Sequence, residues 1–113
     1  MNLKELQSNL SNETGHSITT YALGTLLRDA DLADMNVTPR GFHLKLTKKG
    51  YQFARSYNGR LVFNQLVIPL LKRWMDDNPN SFAMTTIRAG YTGHRNNTEA
   101  LDNAEWQTVP KNA

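Results

Sequence analysis

A chain of 113 residues, 39% apolar and 9% aromatic, builds one modest core and one domain at most. It has no Cys, which excludes disulfides, thiolate nucleophiles and thiolate metal sites together. Its formal net charge of +3 hides a segregation: Met35 to Met75 carries eight cations and no acid, while the remainder holds five cations and all ten acids.

Leu3, Leu6 and Leu10 recur at helical spacing behind Asn2, a residue able to cap, and predict a helix over about 3–12. Gly15 marks its stop. Ser17 is placed to N-cap a second helix over about 17–31. Ile18, Ala22, Leu23, Leu26, Leu27 and Ala30 share one arc of that helix; Ser17, Thr20, Tyr21, Gly24, Arg28 and Asp31 share the opposite arc. Gly24 costs the helix about 1 kcal/mol relative to Ala. Packing must hold it, or Gly24 admits another backbone.

Val37 to Gly41 reads as a short strand and a turn. Phe42, Leu44 and Leu46 then alternate with His43 and Lys45, the pattern of a half-buried strand. Thr47 is expected to cap a third helix over about 48–57. Asn58-Gly59 is a turn pair, and a strand is expected from Arg60 to Val67. Pro69 suits the first turn of a fourth helix that ends near Asp77. Phe82 to Ile87 reads as one more strand. From Gly90 the chain is polar, so the expected division is a domain over 1–88 and a flexible tail over 89–113. Within that tail Ala100, Leu101, Ala104 and Trp106 offer a helical turn to a partner.

No apolar stretch of signal-peptide type opens the chain. The longest apolar region, 61–75, is interrupted by Asn64, Gln65, Lys72 and Arg73 and is too short to span a bilayer. A soluble, cytoplasmic protein is expected. His16, His43 and His94 lack ligand spacing, and there is no phosphate-cradling Gly loop. No catalytic residue, metal site, cofactor or enzymatic activity is expected.

The first two helices have the proportions of a helix-turn-helix, whose second helix offers Ser17, Thr20, Tyr21 and Arg28 to a major groove. The hairpin after it, with Arg40, His43 and Lys45, has the layout of a wing; Lys48 and Lys49 follow it. These residues would hold phosphates, and Arg55, Arg60, Lys72 and Arg73 would extend the positive field. The plain alternative is a solvated helix face beside a solubilising Lys-rich surface. Asp29, Asp31 and Asp34 speak against DNA at the far end of the second helix.

Leu26-Leu27-Arg28, the short gap to Leu32, Thr38-Pro39-Arg40-Gly41-Phe42 and Leu46-Thr47-Lys48-Lys49-Gly50-Tyr51 resemble the winged-helix, C-terminal-type domain of phage antirepressor proteins. The resemblance covers about 3–75 and continues weakly through Gln65 to Leu71. It implies an α+β fold: a small winged helix-turn-helix with a β-hairpin wing, an extra C-terminal helix and a tail. It further implies a phage or prophage regulator that binds double-stranded DNA, as a homodimer in the first reading. A second reading is a phage-encoded inhibitor that binds an acidic host protein of the defence or transcription machinery, without touching DNA.

Overall fold

In the computed structural model, which describes residues 1–93, Asn2 starts the first helix, α1 (Leu3–Thr14), with a reciprocal cap. Its side chain accepts from the Glu5 backbone N–H at 2.8 Å, and the Glu5 carboxylate accepts from the Asn2 N–H at 2.9 Å. Gly15 closes the helix, as the sequence predicts. The second helix, α2 (Thr20–Asp29), is shorter than expected at both ends. Its N-cap is Thr19 rather than Ser17, with Oγ1 accepting from the Ala22 N–H at 3.1 Å. The helix waits until Ile18 has entered the core and its carbonyl has accepted from Gln7 Nε2.

The whole predicted inner arc of α2 is buried. So are Gly24 and Thr25, which means the helix is covered on more than one side. The cover over Gly24 comes from the first hairpin, β1 (Ala33–Thr38) and β2 (Gly41–Leu46), paired antiparallel from Ala33↔Leu46 to Thr38↔Gly41. A Cβ at position 24 would lie 3.0 Å from both Met35 Cε and Phe42 Cε2. Gly24 therefore admits the side chains of the hairpin, not another backbone.

The helix expected over 48–57 does not form. Its place is taken by a single 3-10 turn, Gly50–Gln52, and a strand, β3 (Ala54–Tyr57). Lys49, not Thr47, stands at the N-cap of that turn, while Thr47 Oγ1 accepts from the Gly50 N–H at 3.0 Å. The strand follows from Asn58-Gly59. Both residues have positive φ, 50° and 78°, as a two-residue turn between antiparallel strands requires. The partner strand, β4 (Arg60–Phe63), ends four residues before the predicted limit. Asn64 turns the chain there, its Oδ1 accepting from the Leu66 N–H at 2.8 Å. On the other side of β4, the Met1 ammonium donates to the Phe63 carbonyl at 2.8 Å.

The next helix, α3 (Val67–Asp77), has Pro69 in its first turn and includes both Asp76 and Asp77. Asn78 closes it by donating from its side chain and its backbone to the Trp74 carbonyl. Phe82–Ala89 is a helix, α4, and not the strand expected from 82–87. Ser81 caps it and Gly90 ends it. Ala83, Met84, Thr86 and Ile87 form its buried stripe.

Among the described residues the result is an α+β fold of four helices and two antiparallel hairpins around one core, with α2 at its centre. Thr25 of α2 meets Thr86 of α4 inside that core, Oγ1 to Oγ1 at 3.1 Å. Each hydroxyl also donates to the carbonyl three residues before it, at 2.7 Å. Residues beyond 93, including Trp106 and most of the predicted tail, lie outside the described residues. Among the described residues no helix is long and apolar enough to cross a membrane.

Candidate nucleic-acid interface

The inner face of the first hairpin carries Ala33, Met35, Phe42, Leu44 and Leu46; the pleat turns His43 and Lys45 to the opposite, exposed face. Arg40 is exposed in the turn beyond them, where Thr38 Oγ1 donates to the Gly41 carbonyl at 3.2 Å. Register sets Asn36 beside His43 and Asp34 beside Lys45. The outer strip is thus cationic and neutral toward its tip and mixed in charge at its base.

The segment Thr47–Gly50 joins this strip to the body. Thr47 Oγ1 donates to the Asp31 carbonyl at 2.6 Å, and Lys49 Nζ donates to the Ala30 carbonyl at 3.3 Å. Gly50 is buried so close to Leu32 that a Cβ would lie 1.9 Å from its carbonyl oxygen. Lys49 therefore sits at the C-terminal end of α2, where the helix dipole favours a cation. No α-helix begins at Lys48 and Lys49, so the dipole penalty expected there does not arise. Lys48 is exposed.

The α2 candidates are largely occupied by the protein itself. Thr20 Oγ1 donates to Gln7 Oε1 at 2.8 Å. The Tyr21 ring stands edge-on to Phe42, centroids 6.1 Å apart, and to Tyr91, 5.2 Å apart. Burial raises the Tyr21 phenol above its ordinary value, Tyr91 adds to the rise, and Arg28 opposes it. Arg28 pairs with Asp29 at 3.0 Å and lies over the Phe82 ring at 5.2 Å. Asp29 Oδ2 also accepts from the Ala83 N–H at 2.9 Å, so this acid caps the first turn of α4. Only Ser17 of the four is exposed and without a hydrogen-bonded side chain among the described residues.

Arg55 and Arg60 lie on the second hairpin. Arg55 Nη1 donates to the carbonyls of Tyr51 and Ala54, and Arg60 follows the Asn58-Gly59 turn. Lys72 pairs with Glu13 of α1 at 3.1 Å, while Arg73 is exposed on α3. Of the eight cations between Met35 and Met75, Lys72 is the one in an ion pair among the described residues. The structure thus sets Arg40, His43, Lys45 and Lys48 along one strand and the turns on either side of it. It leaves Thr20 and Arg28 exposed but bonded within the fold, and Tyr21 half-buried. Sequence reasoning missed Tyr57, 62% exposed beside Arg60, although Tyr57-Asn58-Gly59-Arg60 reads as the tip of a hairpin. Among the described residues no three His, Asp or Glu side chains gather as a metal site would require.

No protein-family model matches this chain, and no curated protein or solved structure matches it. The residues that resemble the antirepressor domain have structural work of their own. Leu26, Leu27 and Leu32 fill the core, and the Leu46 to Gly50 string docks the hairpin on the end of α2.

Proposed function

We propose that this chain is a small nucleic-acid-binding regulatory domain of winged-helix type, with the first hairpin as its wing and double-stranded DNA as its partner. The observation that carries the reading is the outer strip of that hairpin: Arg40, His43, Lys45 and Lys48 are exposed, and none forms an ion pair among the described residues. A twisted β-ribbon lined with cations can follow a phosphate backbone, which positions the protein without reading sequence. Docking is led by the wing because Tyr21 and Arg28 of α2 are engaged within the fold. Ser17, two residues before the Thr19 cap of that helix, is the group left to reach a phosphate. The resemblance to phage antirepressors supports a non-enzymatic regulator in the host cytoplasm, with a homodimer as its simplest way to read a two-fold site.

Titrating a random duplex across a salt series tests this. About three to four phosphate contacts give a log–log slope of about −3 to −4. Replacing Arg40, Lys45 and Lys48 together by Glu should abolish binding; Lys49 is spared because it ties the turn to α2. No binding by the unaltered protein at low salt would discard the proposal. The engagement of Thr20, Tyr21 and Arg28 within the fold favours a second reading, an interaction protein that presents the same strip to an acidic host protein. Capture of such a partner from nuclease-treated lysate, lost in the same triple variant, would support it.

A further inference from the structure

We infer that the outer face of the second hairpin is a separate binding site, a stacking platform for single-stranded DNA. It deepens the nucleic-acid reading and takes the choice of DNA from it. Register pairs Arg55 with Val62 and Tyr57 with Arg60. Alternation along each strand puts these four side chains on one face, opposite Ala54, Ser56, Leu61 and Phe63. Tyr57 and Val62 occupy one diagonal, the two guanidiniums the other. Tyr57 is 62% exposed and Val62 40%, whereas Phe63 on the other face is buried. An aromatic ring left in water on a short hairpin is not explained by packing.

The chemistry of the face selects its occupant. Neither Arg55 nor Arg60 forms an ion pair among the described residues, and the sequence has no carboxylate between Asp34 and Asp76. Carbonyls of Tyr51 and Ala54 hold Nη1 of Arg55, which fixes the guanidinium before any ligand arrives. Cations alternating with an exposed ring suit a chain in which phosphates alternate with flat bases. A duplex hides its base faces in the stack, so a ring of this kind finds its complement in an unpaired strand. The first hairpin differs: its exposed outer strip carries no Phe, Tyr or Trp ring and is lined mainly with cations.

The experiment is fluorescence anisotropy of a labelled deoxythymidine oligomer of about ten nucleotides, a length within the range of a single stacking surface. Tyr57→Ala should weaken binding about tenfold, and Tyr57→Phe should leave it nearly unchanged. Arg60→Ala should flatten the salt dependence by about 0.7 in log–log slope. A blunt duplex should bind Tyr57→Ala as well as it binds the unaltered chain. No binding of the oligomer would overturn the inference, as would unchanged affinity in Tyr57→Ala. Displacement by poly-glutamate as effective as by unlabelled oligomer would also overturn it, in favour of an acidic protein surface. Tighter binding of the matching RNA oligomer would overturn the choice of DNA. Loss of duplex binding alone sinks the wing reading and leaves the platform standing; loss of oligomer binding alone does the reverse.

Discussion

The first hairpin is fastened along its length, whereas the second is fastened mainly at its base. Met35 and Phe42 seat the first on Gly24, Phe42 touches Tyr21, and the turn after Leu46 is tied to the end of α2. The second is held where Ala54 and Phe63 enter the core and where Met1 pairs with Phe63; beyond that, Tyr57, Asn58, Gly59 and Arg60 stand in solvent. The same two-stranded unit thus yields a rigid strip in one place and a projecting tip in the other. The difference lies in the residues opposite the inner face. A glycine in a central helix receives two large side chains, and no such seat exists for Tyr57.

Gly50 is the joint between the two hairpins, and its substitution has the largest expected effect. Gly50→Ala brings a Cβ into the Leu32 carbonyl, a backbone atom unable to swing aside. A loss of about 3 kcal/mol or more is expected in urea unfolding, with both hairpins detached together. Gly24→Leu should act on the first hairpin alone, displacing Met35 and Phe42 at a cost of about 2 kcal/mol. Amide exchange in that variant should rise across 33–46 before 54–63. The converse is Gly59→Ala, which forces a side chain onto φ 78° and should cost about 1 kcal/mol, with faster exchange confined to the second hairpin. Uniform exchange in either variant would show that the hairpins open as one unit.

The smallest effect concerns Tyr21, the contact between the first hairpin, α2 and the chain beyond α4. Its phenol titrates above the ordinary value of 10 when folded, so the folded state keeps a proton that the unfolded chain releases. This contribution is intact below the unfolded value and is lost as pH rises through the folded one. Tyr21→Phe should remove that share of the alkaline loss, seen as a smaller drop in melting temperature between about pH 9 and about pH 11. An equal drop in both proteins would mean that the Tyr21 site is open to solvent.

Where local chemistry and periodicity agree, the sequence was legible. Asn2 and Gly15 bound α1 by side-chain and backbone rules alone, and the inner arc of α2 is an uninterrupted apolar period. Two misreadings share one cause. The stretch 48–57 has helical-looking aromatics, but Asn58-Gly59 demands a strand on each side of it. Phe82 to Ile87 looks like a strand until Ser81 and Gly90 are read as its caps. Missing α4 also hid the second cover of α2 and the Phe82 ring that Arg28 lies over. The basic strip was visible as a run without acids. That Lys49 spends a donor on the Ala30 carbonyl depends on a tertiary contact that no spacing reveals.

The paired threonines in the core have a consequence of their own. Thr25 and Thr86 make three oxygen contacts among them but own two hydroxyl hydrogens, each already given to a carbonyl on its own helix. The oxygen-to-oxygen approach is therefore a meeting of two acceptors unless one proton swings across. Sliding α4 by a turn would part the two hydroxyls, so the pair acts as a key that admits one alignment of the helices while adding little to their adhesion.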